Sequence, residues 1–250
     1  MSDASPKYAV PALDKGFEIL EFLAGDRVPR SQAEIAQGVG RKPSEIFRVL
    51  VGLEARGYLV REEVSGKYRT SLKLLGLARS LQPLALLRQQ ALPIMEALAS
   101  RLGHSCHLSM RQGDELMVVL QAPSPGAVSL AIAEGTRFPL LPTASGRVLM
   151  AHLPEAESAD LLSRLIAPEQ RDATAAALAE LRSRGHELSQ SRLTDGVTDC
   201  AVLVGARQSP LMAVLAVSCL TSVMDKRLER AELIAEVSAA AADISARIGL

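Results

Sequence analysis

Apolar residues recur at helical spacing in three short segments near the start of the chain. The first segment is Pro11–Gly25. The second opens with the capping box Ser31-Gln-Ala-Glu34, in which each side chain satisfies a free amide, and it predicts a helix from Ser31 to about Gln37. The third opens at Pro43, a residue suited to a first helical turn. Its apolar stripe consists of Ile46, Val49, Leu50 and Leu53. A glycine-containing turn at Gly38-Val39-Gly40 separates the second helix from the third.

A predicted β-hairpin follows these helices. Between Gly57 and Thr70, two short alternating runs flank Val64-Ser65-Gly66, which has the composition of a turn. Three helices followed by a hairpin form the layout of a winged helix-turn-helix. The same layout also suits a module that binds only other proteins, and that alternative remains open.

The exposed face of the third predicted helix carries the residue types that read DNA. An α-helix fits the major groove, where arginine pairs with guanine, a carboxylate accepts from cytosine and an apolar group contacts the thymine methyl. The predicted base contacts are Glu45, Phe47 and Arg48, and the predicted phosphate contacts are Arg41, Lys42, Ser44 and Lys67. Because phosphates repel a carboxylate, Glu45 has the alternative of pairing with Arg41 or Arg48 instead.

After the hairpin, the pattern predicts connector helices and then a second, mixed domain. Helices are expected at 71–79 and 81–102, with a boundary at Gln82-Pro83. Strands are expected at 104–110, 115–121, 128–133, 199–207 and 211–220, and helices at 143–152, 156–166, 172–185 and 225–248. This order predicts an α+β fold with a mainly antiparallel sheet. The expected domains are 1–76 for the winged helix-turn-helix, 77–102 for the connector and 103–250 for the second domain.

Charge and composition narrow the class of protein. The 250 residues carry no net charge. Residues 1–80, however, hold 13 Lys and Arg against 10 Asp and Glu, which suits an N-terminal nucleic-acid-binding module. No apolar run is long enough for a membrane span, and Met1–Val10 lacks a signal core. The three cysteines form no CxxC pair. We therefore expect a cytoplasmic protein without a membrane partner.

Two other classes of function deserve comparison with DNA binding. A metal or redox sensor would use His104, Cys106 and His107, joined by Cys200 or Cys219. On a strand, however, His107 faces away from the other two, and apolar neighbours favour an inert thiol. An enzyme is disfavoured because the sequence has no GxSxG, P-loop or HExxH motif. No cofactor is expected.

Several segments together resemble the IclR family of transcriptional regulators over nearly the full length. They are Ala12–Leu20, Ala33–Ala36 with Pro43–Leu50, Gly57–Leu59 with Gly66–Arg69, Leu141–Arg147 and Gly196–Asp199. The resemblance implies a GAF-like effector domain and a homodimer or homotetramer that binds double-stranded operator DNA. It also implies repression or activation controlled by a small metabolite.

The resemblance also implies where the small-molecule effector binds. Carried over by position, the effector-binding residues are Thr143, Ala144, Ser145, Gly146, Asp199 and Ser218, and His107 is a further candidate from its strand position. Many family members have Cys where this chain has Asp199, and Ser where it has Ala216. Because a carboxylate accepts hydrogen bonds from hydroxyls, Asp199 favours a sugar, a sugar acid or a hydroxy acid. The alternative role for Asp199 is to cap a turn after Gly196.

Overall fold

A computed structural model describes residues 10–26, 28–79, 82–127, 129–205, 211–221 and 229–249. The chain divides into two compact units, Met1–Gln82 and Pro83–Leu250. The predicted division at residues 76 and 102 stays a prediction. None of the described helices is both long and apolar enough to cross a membrane.

The first unit is a winged helix-turn-helix, as the sequence predicts. Its elements are α1 (Pro11–Gly25), α2 (Gln32–Gly38), α3 (Pro43–Ala55), β1 (Leu59–Arg61), β2 (Tyr68–Thr70) and α4 (Lys73–Arg79). The strands β1 and β2 pair antiparallel to form the wing. The predicted capping box is present at the start of α2, where the Glu34 amide donates to Ser31 Oγ and the Ser31 amide donates to Glu34 Oε2 over 2.7 Å. This cap fixes where α2 begins, and therefore the turn that leads to α3.

The second unit is an antiparallel sheet with helices on both faces. Its elements are α5 (Gln82–Leu102), β3 (Cys106–Gln112), β4 (Glu115–Ala122), β5 (Arg137–Pro139), α6 (Ala144–His152), α7 (Glu155–Leu165), α8 (Pro168–Arg184), β6 (His186–Gln190), β7 (Val197–Val204), β8 (Ala213–Leu220) and α9 (Arg230–Arg247). The strand order is β5-β4-β3-β8-β7-β6, and every neighbouring pair is antiparallel. The predicted α+β class with a mainly antiparallel sheet is confirmed.

The two faces of the sheet are buried in different ways. Because side chains alternate along a strand, Cys106 and Leu215 face the apolar core that α5 and α9 cover. Val214 and Ala216 point to the opposite face, which packs against α6, α7 and α8. The second face is therefore the one on which polar strand residues such as His107 lie.

The predicted strand at 128–133 is wrong for the part that the structure describes. Residues 129–133 form no strand, and the edge of β4 instead pairs with β5 at Arg137–Pro139. The sequence did not predict β6, because none of its five residues is β-branched or a large aromatic, and only Leu188 is apolar. The predicted elements also include residues 81, 206–207 and 225–228, which lie outside the described residues. An unbroken connector between α4 and α5 therefore stays a prediction.

Gly146 allows α6 to pack closely against the turn that precedes it. A Cβ atom at this position would lie 2.0 Å from the Leu140 carbonyl oxygen. We expect Gly146→Ala to lower the free energy of unfolding by about 1–3 kcal/mol, because a backbone atom has to shift to make room. Urea unfolding followed by far-UV circular dichroism measures the change. The control is Gly52→Ala in α3, where an added Cβ meets nothing within 4 Å. Equal stability of Gly146→Ala and the wild type would contradict the packing argument.

Candidate functional site

The exposed face of α3 brings together most of the residues predicted to contact DNA. Ile46 and Leu50 are fully buried in the core of the first unit. On the opposite side, Ser44, Phe47 and Arg48 are exposed, and Phe47 exposes 52 % of its surface. An arginine beside an exposed aromatic ring is a suitable combination for the edges of base pairs.

The start of α3 is closed by Glu45. The Lys42 amide donates to Glu45 Oε2 over 2.8 Å, and this hydrogen bond lowers the pKa of the carboxyl. The sequence left Glu45 the alternative of pairing with Arg41 or Arg48. The ion pairs of the described residues include neither, since Arg41 pairs with Glu18. Glu45 thus fixes the first turn of the helix from its exposed surface.

Two of the predicted phosphate contacts form ion pairs in the free protein. Arg41 donates from Nε and Nη2 to the carboxylate of Glu18 over 2.6 and 2.7 Å. Lys67, in the wing, lies 3.8 Å from the carboxylate of Glu34. Solvent-exposed pairs of this kind contribute about 1 kcal/mol or less. Both cations therefore exchange partners at low cost when a phosphate approaches.

The wing is tied to the helices beneath it. Arg30 and Tyr68 form an isolated antiparallel bridge, with the Arg30 amide donating to the Tyr68 carbonyl over 2.9 Å. The Tyr68 ring is buried, and Arg61 packs over it. The neighbouring Arg69 is exposed. The sequence analysis did not single out Arg61, although its place opposite Tyr68 follows from the hairpin register.

The second unit contains a cavity of about 120 Å³ between the sheet and the start of α6. Six of the seven residues predicted to bind an effector line it: His107, Thr143, Ala144, Ser145, Asp199 and Ser218. The other described lining residues are Leu116, Leu130, Ile132, Phe138, Ser191, Leu193, Thr194, Val197 and Ala216. The wall thus combines apolar side chains with several hydroxyl groups.

The strand register places the polar groups of the cavity floor side by side. Asp199 on β7 is paired with Ser218 on β8, and His107 on β3 is paired with Ala216 on β8. The methyl group of Ala216 is small, so it leaves open space between the larger side chains. The cavity is therefore shaped by residues that are far apart in sequence but adjacent across three strands.

Asp199 is held within the floor by hydroxyl groups. Ser218 Oγ donates to Asp199 Oδ1 over 2.7 Å. Burial raises the pKa of the Asp199 carboxyl above its ordinary value, although hydrogen bonds from Ser218 and Ser191 and the positive charge of Arg147 act in the opposite direction. Ser218 occupies one carboxylate oxygen, which leaves the carboxyl able to accept from a further hydroxyl. Asp199 lies within β7, so the alternative role as a turn cap after Gly196 is incorrect.

His107 enters the cavity as a neutral ring. Burial lowers the pKa of His107 to about 4, so the imidazole is uncharged at neutral pH. Within the described parts of the chain, no group forms a hydrogen bond with this ring. A neutral imidazole has one donor and one acceptor nitrogen, and a buried polar ring without a partner is uncommon. Both nitrogens are thus open to a molecule in the cavity.

The start of α6 lies at the wall of the cavity. Thr143 Oγ1 accepts from the Gly146 amide over 3.0 Å and caps the helix. The amides of Ala144 and Ser145 have no acceptor among the described residues. Gly146, predicted as an effector contact, is not among the described lining residues. Its amide is taken by the cap, and its small size serves the packing against Leu140.

Two loops contribute residues that the sequence analysis did not select. Leu130 and Ile132 come from the segment predicted as a strand, and Leu193 and Thr194 come from the loop before β7. The alternation of Leu130 and Ile132 was the available signal. It marks one wall of a cavity here rather than one face of a sheet.

The metal or redox alternative is not supported by the geometry. Cys106 faces the apolar core, where its thiol donates to the Met95 carbonyl, whereas His107 faces the cavity. Burial raises the pKa of the Cys106, Cys200 and Cys219 thiols to about 12, which makes them poor nucleophiles and ligands. Over the described ranges, no three His, Cys, Asp or Glu residues converge on one point.

Comparison with known proteins assigns both units. The family model "IclR helix-turn-helix domain" matches residues 12–63, and "Bacterial transcriptional regulator IclR C-terminal" matches residues 81–246. The chain is 28 % identical to the HTH-type transcriptional regulator XynR of Escherichia coli over 86 % of this chain and 88 % of that protein. It is also 28 % identical to KdgR of Escherichia coli, over 96 % of this chain and 94 % of that regulator.

A solved structure shares the fold. It is an IclR homolog from Microbacterium hydrocarbonoxydans complexed with 4-hydroxybenzoate, with a TM-score of 0.77 and 24 % identity over 95 % of this chain and 98 % of that one. The matches to both family models cover most of the sequence in the order of its two units. The chain belongs to the IclR family of bacterial transcriptional regulators.

Proposed function

We propose that this regulator binds operator DNA through α3 and the wing, and that a small hydroxylated metabolite in the cavity controls the binding. The observation that carries the proposal is the cavity itself. It holds the unpartnered His107 ring, the free amides of Ala144 and Ser145, and a carboxyl with accepting capacity at Asp199. A few donors and acceptors that converge on one largely apolar cavity are typical of a small-molecule site.

On DNA, the exposed residues of α3 have separate roles. Arg48 pairs with guanine, and Phe47 contacts a thymine methyl. Lys42, Ser44, Lys67 and Arg41 hold phosphates, which sets the register without reading sequence. Because Glu45 closes the helix start, we assign it to orientation of α3 rather than to a cytosine.

The ligand is a small molecule with hydroxyl groups, such as a hydroxy acid or a short sugar acid. None of the described lining residues is Lys or Arg. A carboxylate therefore has the amides at the start of α6 as its site, and hydroxyl groups have Asp199 and His107. The cavity volume of about 120 Å³ limits the ligand to a small molecule. The solved homolog binds 4-hydroxybenzoate, which also combines a hydroxyl with a carboxyl.

Control of DNA binding follows from a shift between two arrangements of a homodimer or homotetramer. The ligand binds one arrangement more tightly, and the connector passes this difference to the spacing of the recognition helices. Half-sites about one helical turn apart, or about 34 Å, suit one arrangement only. A regulator of this kind works in the cytoplasm beside the chromosome.

The role of Arg48 is tested by Arg48→Ala in mobility shifts with the promoter beside the protein's own gene. Loss of the guanine contact should cost about 1–3 kcal/mol of discrimination between operator and unrelated DNA. Lys42→Ala is the matched control, since loss of a phosphate contact weakens binding to all sequences and lowers the salt slope by about 1. If Arg48→Ala keeps its full operator preference, α3 is not the reading helix.

The ligand class is tested by calorimetric titration with a panel of short hydroxy acids, sugar acids and apolar compounds of equal size. We expect hydroxylated acids to bind, and Asp199→Ala to weaken them at least about tenfold by removing an acceptor to a ligand hydroxyl. Asp195→Ala is the control, because Asp195 is an exposed residue just before β7 and is not among the described lining residues. Tight binding of apolar compounds alone would refute the assignment.

The neutral state of His107 predicts a pH dependence of stability. The folded-state pKa is about 4, and the unfolded value is about 6.5, so the unfolded chain binds more protons between these two values. The free energy of unfolding should therefore fall as the pH drops from 6.5 to 4, by up to about 3 kcal/mol from this residue. The measurement is the free energy of unfolding of the wild type minus that of His107→Gln at each pH. The contributions of the other titratable groups cancel in this difference. A difference that does not vary with pH would show that the ring is not buried in its neutral form.

A further inference from the structure

Arg147 joins two separate segments around the cavity without lining the cavity itself. Its Nη1 donates to the Leu141 and Pro142 carbonyls, both over 3.0 Å. Its Nη2 donates to Glu187 Oε1 over 2.9 Å and to Ser189 Oγ over 2.8 Å. The side chains of Arg147 and Glu187 each expose only 11 % of their surface. The planar guanidinium thus holds acceptors from a turn and from a strand in one fixed arrangement.

The two carbonyls belong to the turn that sets the start of α6. This turn leads directly into Thr143, Ala144 and Ser145, which line the cavity. The peptide bond between Leu141 and Pro142 has no N–H group. A hydrogen bond that fixes this peptide therefore has to be accepted by the Leu141 carbonyl. Arg147 supplies the donor from within α6 itself, one turn after the helix begins.

The other acceptors lie on β6, next to the strand that carries Asp199. β6 is the last strand in the sheet, and it pairs only with β7. Ser189 is the register partner of Asp199. Arg147 therefore connects the turn before α6 with β6, the strand that pairs with β7 next to Asp199.

The ion pair between Arg147 and Glu187 contributes more to the relative placement of the two segments than to the free energy of unfolding. Burial by itself would raise the pKa of Glu187, but the hydrogen bond and charge of Arg147, together with a hydrogen bond to Ser189 and the charge of Arg184, lower this pKa below its ordinary value. The second carboxylate oxygen of Glu187 accepts from Arg184 over 2.8 Å. A buried ion pair is often no more stabilising than two apolar side chains of similar volume. Two apolar side chains in place of Arg147 and Glu187 would not make the directional hydrogen bonds that Arg147 makes to the turn and to β6.

We propose that Arg147 is a positioning residue, which fixes the start of α6 relative to the strands that carry the cavity floor. The description of that cavity as an effector site rests on the proposed function. The positioning role of Arg147 does not rest on the proposed function, because it concerns how firmly residues 139–146 are held in the protein without ligand.

The test compares three variants by hydrogen–deuterium exchange of the peptide that covers residues 139–146. Arg147→Met should leave Glu187 buried with one cation fewer, so both the thermal midpoint and the protection of this peptide should fall. In the double variant Arg147→Met/Glu187→Met, the midpoint should recover, because the unpaired charge is gone. Exchange in residues 139–146 should still be at least about tenfold faster than in the wild type, because the turn carbonyls have lost their donor.

Arg182→Met is the matched control. Arg182 also donates to a backbone carbonyl, that of Ala151, but at the far end of α6. Its loss should leave exchange in residues 139–146 unchanged. Recovery of both stability and protection in the double variant would overturn the proposal, since Arg147 would then act only by neutralising Glu187. Normal protection in Arg147→Met would overturn it as well. If no compound of the titration panel binds the wild type, the proposed function fails, while the exchange result still decides the role of Arg147.

Discussion

The second unit depends on one constraint, which is that both faces of a six-stranded sheet have to be covered. One face meets it completely, because α5 and α9 lie over a continuous layer of apolar strand residues. The opposite face is covered by α6, α7 and α8 over only part of its area. The remaining part is bounded by loops and forms the cavity. Since strand side chains alternate, polar residues gather on this second face without entering the apolar core.

In the first unit, the two sides of helix α3 have different roles. Ile46 and Leu50 hold α3 in the core, while Phe47 and Arg48 remain in solvent. The charges around this helix differ in how they are restrained. Arg41 is tied to Glu18, whereas Arg48 carries no such partner in the described contacts. Arg48 is therefore open to a ligand of opposite charge in the free protein, whereas Arg41 has to exchange Glu18 for such a ligand.

Local signals in the sequence were sufficient for the helices and for the wing. The capping box at Ser31 and the proline at position 43 define helix starts through contacts within a few residues, so they can be recognised without knowing the fold. The edge strands were different. β5 has three residues, and β6 is polar, so each exists because a neighbouring strand offers its open edge. Periodicity alone cannot reveal that neighbour.

The cavity residues divide in the same way. Family resemblance located Thr143, Ser145 and Asp199, because these lie in recognisable segments. Neither composition nor spacing indicated that Gly146 serves a contact with the Leu140 carbonyl, or that Arg147 reaches across to β6. Both depend on how the turn folds back on the sheet. Interactions between distant segments are set by the tertiary structure, and a single sequence does not display them.

Ala216 is a position at which a substitution would change the cavity but not the core on the other face of the sheet. It lies between His107 on β3 and Ala201 on β7, with its methyl group towards the cavity. Its strand neighbours Leu215 and Val217 point into the core on the other face. A larger or more polar side chain here would alter the volume and chemistry of the cavity while leaving that core intact. A single position therefore sets the volume and polarity of the cavity independently of the packing on the other side of the sheet.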